Sequence, residues 1–135
     1  YKYFEGNFTS VAGLDDAQVK DTGIVSAFKL QQPEGVSEYG YIFNAFLSVP
    51  EDGIYTFYLE SNDGSKLYLN NKELINNDGG HGAKEESGNI ALRRGYFPIE
   101  VKYFQMGGGQ ALKVSWESAS LSKREITKDD VFYKP

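Results

Sequence analysis

Polar side chains that could bind a ligand fall into two short segments of this sequence. The first is Asn62-Asp63-Gly64-Ser65, and the second is the glycine-rich run 76–82. Carboxylate and amide oxygens can ligate a cation or accept hydrogen bonds from hydroxyl groups. If the second segment folds back over the first, the two form a shallow polar site, for which the candidate residues are Asn62, Asp63, Asn76, Asn77, Asp78 and His81.

Each of these candidates also has a simpler structural explanation. Asp-Gly is a common turn signal, so the Asp63 carboxylate could bind backbone amides next to Gly64 instead of a ligand. Residues 76–89 include four glycines and little to bury, which suits either a functional loop or a solvated connection. His81, flanked by glycines, could hydrogen-bond to a sugar or could only pack and cap the loop.

Catalytic residue types are scarce in the sequence. Cysteine is absent, and His81 is the only histidine, so nucleophilic or metal chemistry that needs several such groups is excluded within this chain. Neither Ser65 nor Ser87 lies in a nucleophile-elbow sequence. Adjacent acidic residues occur in polar surroundings, where burial would not raise a carboxyl pKa as a glycosidase requires, at Asp15-Asp16, Glu85-Glu86 and Asp129-Asp130. We therefore predict a non-catalytic domain.

Alternating apolar and polar residues predict the strands that must position these segments. The clearest examples are residues 41–49, 53–61, 66–70, 96–104 and 112–117. Eight or more short strands, ten Tyr, nine Phe and 15 Gly predict an all-β antiparallel sandwich or barrel. A brief helix is predicted from Leu14 to Lys20, and a long loop over residues 76–89.

The turn at residues 62–65 predicts a hairpin that joins strands 53–61 and 66–70. Tyr58 and Tyr68 lie on the outward parity of these strands, so across a hairpin they would be neighbours. Such a pair could form a stacking platform for a sugar or could simply cover the sheet. Trp116 alternates in phase with Leu112 and Val114, which predicts that it belongs to the core.

Charge and the length of the apolar segments exclude two classes of partner. The formal net charge is −5, and residues 31–90 carry three basic and ten acidic side chains. This acidic region would repel a phosphate backbone, so we expect no nucleic-acid partner. No window approaches the length of an apolar membrane span, and no membrane partner is expected. The chain begins at Tyr1, and we expect a single domain over residues 1–135 that has been excised from a longer protein.

The run GIYTFYLESNDGSKLYLN at residues 53–70 resembles the centre of the PA14 domain family. The family pattern combines a G-x-Y-x-F strand with an S-x-D-G-S-x-L turn, which correspond here to Gly53, Tyr55, Phe57, Ser61, Asp63, Gly64, Ser65 and Leu67. Residues 3–16, 91–116 and 123–133 resemble the opening, the closing strand pair and the exit of the family. The resemblance thus covers nearly the whole chain.

This resemblance implies a barrel-like β-sandwich that serves as a non-catalytic module of glycosidases, adhesins or toxins, with carbohydrate binding as its role. In similar yeast adhesins, two adjacent aspartates joined by a cis peptide hold a calcium ion that bridges to sugar hydroxyls. Those positions correspond to Asn62 and Asp63 here, which implies a calcium site with one charge fewer. No other cofactor is implied.

We therefore expect a glycan-binding or substrate-shaping module of a secreted bacterial carbohydrate-active enzyme, located outside the cytoplasm, in the periplasm or at the cell surface. The partners would be a glycan and the neighbouring domains of the parent enzyme. The alternative is a structural module that packs on a catalytic domain and has no ligand of its own.

Overall fold

The computed structural model describes residues 1–31 and 34–134. These residues form eleven strands and one short 3₁₀ helix, which confirms the all-β prediction. In chain order the strands are β1 (Lys2–Glu5), β2 (Asp21–Thr22), β3 (Tyr39–Val49), β4 (Gly53–Asn62), β5 (Ser65–Leu69), β6 (Lys72–Asn77), β7 (Lys84–Leu92), β8 (Gly95–Gln105), β9 (Ala111–Ser118), β10 (Leu121–Glu125) and β11 (Val131–Phe132). No helix within the described ranges is long and apolar enough to cross a membrane.

Two antiparallel sheets face each other across the core. The seven-stranded sheet has the order β2-β1-β3-β8-β5-β6, and β11 pairs with the free end of β3. The four-stranded sheet has the order β10-β9-β4-β7. Alternate residues of both sheets point inward, because a strand that is covered on one side buries every second side chain. Trp116 is 1% exposed and stacks on Tyr55 at 5.4 Å between ring centroids, so its predicted place in the core is confirmed.

A second, smaller cluster covers one end of the outer face of the seven-stranded sheet. It consists of Phe4, Phe8, Val11, Leu14, Ile42 and Phe104. The chain after β1 folds over this end of the sheet, and its only helical turn is the 3₁₀ helix Val11–Leu14. The helix predicted from Leu14 to Lys20 is therefore wrong: the apolar spacing there comes from one short turn that buries Val11 and Leu14.

The predicted hairpin between β4 and β5 is also wrong. β4 pairs with β7 and β9, whereas β5 pairs with β6 and β8, so residues 62–65 carry the chain from one sheet to the other. Alternation shows that each strand has a buried face, but it does not identify the partner strand. Tyr58 and Tyr68 consequently lie in different sheets, and the stacking platform that they would have formed does not exist.

The predicted long loop is shorter than expected. Residues 84–89 belong to β7, which pairs with β4 from Lys84 to Leu92. β7 lies at the edge of its sheet and is exposed along most of its length, so its first residues need not be apolar. Its charged side chains protect the open edge from pairing with another chain. The connection between β6 and β7 is therefore limited to residues 78–83.

The turn between β5 and β6 is formed by Asn70 and Asn71. Asn70 and Asn71 both have positive φ, at 53° and 66°. Asparagine tolerates this left-handed conformation, which a tight two-residue hairpin requires. The turn places Asn71 at the end of the seven-stranded sheet that lies away from residues 62–65.

Candidate functional site

Three connections meet at one end of the sandwich, and Asp63 lies between them. They are residues 62–65 between the sheets, residues 78–83 between β6 and β7, and residues 106–110 between β8 and β9; we call this group the tip. Asp63 is 8% exposed. Its Oδ1 accepts a hydrogen bond from the His81 N–H at 3.1 Å, and its Oδ2 accepts one from the Met106 N–H at 2.8 Å. One carboxylate thus holds the other two connections in place.

Buried polar groups at the end of β8 support the tip from below. The Tyr103 hydroxyl donates to the Asn62 carbonyl at 2.5 Å, and the peptide bond between Asn62 and Asp63 is cis. Burial raises the pKa of Tyr103 far above its ordinary value, so this hydroxyl stays protonated as a donor. Gln105 Nε2 donates to the carbonyls of Gly108 and Gly109 at 3.0 and 2.7 Å. The glycine-rich connection is therefore fixed at both ends.

The 78–83 connection is anchored by the two residues that begin it. Asn77 is buried, and its Nδ2 donates to the carbonyls of Leu59 and Lys84 at 3.1 and 2.8 Å. Asp78 Oδ1 accepts from the Val11 N–H at 3.0 Å and from the Gly79 N–H at 2.9 Å. These contacts are structural, because each one satisfies a backbone group that would otherwise lack a partner.

The His81 ring is held within its own connection. Nδ1 lies 2.7 Å from the carbonyl of Gly82, and Nε2 lies 2.8 Å from the carbonyl of Asn77. Carbonyl oxygens only accept hydrogen bonds, so a neutral ring satisfies one of these contacts and a protonated ring satisfies both. The ring is half-buried, and it presents an ordered edge at the surface of the tip.

Gly64 permits the close approach of two of the connections. A Cβ at this position would lie 2.6 Å from the carbonyl oxygen of Gly79 and 2.8 Å from its nitrogen. A backbone cannot give way as a flexible side chain can, so any larger residue would separate residues 62–65 from residues 78–83. The second segment thus lies directly against the first.

The orientation expected for Asp63 is wrong. Its carboxylate does not project outward: it is buried and accepts hydrogen bonds from two backbone N–H groups. The turn explanation correctly expected backbone amides as the donors, but these amides belong to the two other connections and not to the neighbourhood of Gly64. The remaining candidates differ in exposure, with Asn77 buried, Asn62, Asp78 and His81 half-buried, and Asn76 exposed. The 106–110 connection was missed, although its signal was present in Gly107-Gly108-Gly109 after a polar strand end.

The residues at the tip do not fit a calcium ion. Calcium takes six to eight oxygen ligands, and its affinity rises with the number of carboxylates. Asn62 supplies no charge, both oxygens of Asp63 accept backbone N–H groups, and Asp78 Oδ1 does the same. Within residues 1–31 and 34–134, no three His, Cys, Asp or Glu side chains form a group that could hold a metal. The tip is instead a polar surface held together by hydrogen bonds.

The arrangement of these strands and connections corresponds to a known family. The sequence matches the family model described as PA14 domain over residues 1–130. The chain belongs to the PA14 domain family. A solved PA14 sugar-binding domain from an RTX adhesin has the same fold, with a TM-score of 0.67 at 16% identity over 98% of this chain and 76% of that one.

Other proteins that match this chain are much longer than it. The β-glucosidase of Kluyveromyces marxianus, solved with glucose, matches with a TM-score of 0.63 at 19% identity, over 87% of this chain and 15% of the enzyme. The anti-sigma-I factor RsgI3 of Acetivibrio thermocellus is 31% identical over 80 residues, which are 58% of this chain and 12% of that protein. The PA14 fold thus occurs in proteins of different activity.

Proposed function

We propose that this domain is a non-catalytic carbohydrate-binding module and that the tip contacts the glycan. The observation that carries the proposal is the pair of hydrogen bonds that the His81 and Met106 amides donate to the Asp63 carboxylate. They fix three connections relative to one another before any ligand arrives. A pre-organised surface loses little conformational entropy on binding, which matters for a weak polar ligand such as a sugar.

The exposed chemistry of the tip suits hydroxyl groups. Gly80, Gly82, Gly108 and Gly109 are exposed, and because they lack side chains a ligand can approach the backbone there. The carbonyls of Gly82, Gly108 and Gly109 already lie within hydrogen-bond distance of His81 or Gln105. The half-buried His81 adds an ordered aromatic edge beside them. The RTX adhesin domain, which is described as sugar-binding, supports the same ligand class.

The proposal extends to the setting of the domain in a longer protein. We infer that the parent is presented outside the cytoplasm, where polysaccharides are found. In a carbohydrate-active enzyme the module would hold substrate near the active site or shape its entrance. The similarity to an anti-sigma factor adds a parent class that the sequence did not suggest, in which the module would sense a glycan.

The test is a binding measurement with matched variants. The domain is screened on an array of plant, fungal and bacterial polysaccharides, and the positive glycan is titrated by calorimetry. We expect Asn62→Ala to weaken binding about tenfold, the effect of losing one good hydrogen bond to the ligand. We expect His81→Ala to weaken it as well, because the ring contacts the Asn77 and Gly82 carbonyls and so orders the 78–83 connection. Asn89→Ala, an exposed asparagine on β7, should bind as the wild type does. An array with no positive glycan, or equal affinity in all four proteins, would contradict the tip assignment.

A cluster of exposed aromatic rings favours a second candidate function, a structural module that packs on a neighbouring domain. Tyr96 is 70% exposed and lies 5.1 Å from Phe132, which stacks on Phe46 at 5.6 Å between centroids. Exposed apolar groups that lie together often mark an interface. If this function is correct, Tyr96→Ala should lower the melting temperature of the longer parent protein and leave that of the isolated domain nearly unchanged.

A further inference from the structure

A groove of about 330 Å³ lies on the outer face of the seven-stranded sheet, away from the tip. Its principal lining residues are Asn44, Phe46, Tyr68, Asn71, Glu100 and Tyr133. This volume is at the lower end of the roughly 300–1,000 Å³ typical of small-molecule sites. Glu100 and Gln105 are five residues apart on β8, so the groove is about 17 Å from the tip at 3.3–3.4 Å per residue.

Strand register places the polar groups of the groove in one row. Glu100 on β8 is the direct partner of Asn44 on β3 and of Tyr68 on β5. Directly paired residues point to the same face of a sheet, and here their neighbours Ala45 and Ile99 face the core. An amide, a carboxylate and a phenol thus lie side by side across three adjacent strands.

Aromatic and amide groups form the sides of the groove. Phe46 lies one step along the sheet from the polar row, paired with Pro98. Asn71 reaches the groove from the β5–β6 turn, and Tyr133 reaches it from the segment after β11 and is 58% exposed. The groove therefore combines flat apolar surfaces with groups that donate and accept hydrogen bonds.

Burial and neighbouring charges determine the protonation of the Tyr68 hydroxyl and the position of its ring. Burial raises the pKa of Tyr68 above its ordinary value, although Lys102 and Lys66 act in the opposite direction, so the hydroxyl is protonated at neutral pH and can donate or accept. The Lys102 ammonium lies 5.1 Å from the centre of the ring and is paired with Asp15 at 2.7 Å. These contacts hold the ring in place as one wall of the groove.

We propose that this groove is a second carbohydrate site, which takes one or two pyranose units of a neutral saccharide. The row of amide, carboxylate and phenol would hydrogen-bond to adjacent hydroxyls, and Phe46 or Tyr133 would pack against the apolar face of a sugar ring. The proposal rests on the proposed function for the class of ligand, but it concerns a different site.

The charge and polarity of the groove argue against other ligands. The groove has one cationic lining residue, Lys134, and one anionic one, Glu100, which also lies 3.9 Å from the Lys102 ammonium. A phosphate or sulfate group would meet the Glu100 carboxylate in the centre of the row, and Lys102 is already paired with Asp15. A lipid chain would have to desolvate Asn44, Asn71 and Glu100 without satisfying their hydrogen bonds, which is unfavourable. A neutral polyhydroxyl ligand avoids both costs.

The experiment is an NMR titration of the ¹⁵N-labelled domain with cellohexaose, xylohexaose, laminarihexaose and mannohexaose in turn. We expect at least one of them to shift the backbone amides of residues 44–46, 68–71 and 98–101. Asn44→Ala and Glu100→Ala should each weaken that binding about tenfold, because each removes hydrogen bonds to the ligand. Asn89→Ala on the other sheet is the matched control and should leave the affinity unchanged.

The two sites can fail separately in this experiment. Shifts confined to residues 62–65, 78–83 and 106–110 would overturn the groove proposal and support the tip. Shifts confined to the groove residues, unaffected by His81→Ala, would support the groove and contradict the tip assignment. If none of the four oligosaccharides causes shifts, or if the groove variants bind as tightly as the wild type, the groove proposal is overturned.

Discussion

Replacement of Asp63 tests the central structural claim, that one buried carboxylate holds the tip together. Asp63→Asn keeps the shape of the side chain but turns one acceptor oxygen into an NH₂ donor. That donor must face either the His81 N–H or the Met106 N–H, so one hydrogen bond is replaced by a contact between two donors. A hydrogen bond to a charged group contributes about 1.5–3 kcal/mol, and we expect that loss in the free energy of unfolding.

Asp63→Ala removes both bonds and should cost about 3–5 kcal/mol, a large share of the roughly 5–15 kcal/mol that stabilises a typical domain. For a chain of this length, Asp63→Asn should lower the melting temperature by about 5–10 °C. Urea denaturation measures the free energy. The amide resonances of His81 and Met106 report which bond is lost, since both should move while those of the core strands stay in place.

The matched control is Asp52→Ala. Asp52 Oδ1 also accepts a backbone N–H, from Arg94 at 2.7 Å, but that contact is exposed to solvent. Water replaces an exposed bond easily, so we expect a loss of less than about 1 kcal/mol. If Asp63→Asn is no more destabilising than Asp52→Ala, or if the His81 and Met106 amides do not shift, the carboxylate does not organise the tip.

The remaining predictions concern the tip and the C-terminal segment. Gly64→Ala should shift the 78–83 amide resonances and destabilise the domain, whereas Gly82→Ala, where a Cβ has nothing within 4 Å, should do neither. Burial tends to raise the pKa of Asp130, but hydrogen bonds from Arg124 and Thr127 outweigh it and hold that pKa below 3.8. The ionised Asp130 carboxylate therefore stabilises the fold fully above pH 3.8, and this stabilisation is lost as pH falls through the folded pKa. Urea denaturation should show that Asp130→Asn is about 1–2 kcal/mol less stable than the wild type at pH 7. The difference should shrink below pH 3.8. Asn62→Asp should lower the melting temperature, and about 1 mM calcium should restore it while leaving the wild type unchanged.

The sequence predicted the strands better than it predicted their partners. Alternation located β3, β4, β5, β8 and β9 because each buries one face against the core. It could not show that β4 and β5 belong to different sheets, since both the crossing at 62–65 and a hairpin would bury the same side chains. Only the end of β7, residues 89–92, could be predicted as a strand, because the exposed first part of this edge strand carries no apolar alternation.

The site was predicted in part because its residues are polar and close in sequence, but their roles depend on long-range contacts. Asp63 finds its donors 18 and 43 residues away, at His81 and Met106. Nothing local distinguishes a carboxylate that binds distant amides from one that binds a ligand. The groove could not be predicted for the same reason, because Asn44, Tyr68 and Glu100 become neighbours only through the pairing of three strands.

The burial of Asp63 at the tip is matched by the hydrogen bonds that its carboxylate accepts. A buried carboxylate needs hydrogen bonds or a counter-charge, because desolvation strongly disfavours an unpaired ion. With asparagine at position 62 a single negative charge remains beside the cis peptide, and the His81 and Met106 amides are enough to satisfy it. A second carboxylate at position 62 would find the His81 and Met106 amides already donating to Asp63. We therefore expect an aspartate at position 62 to make the tip depend on a cation, which is the outcome that the calcium titration of Asn62→Asp tests.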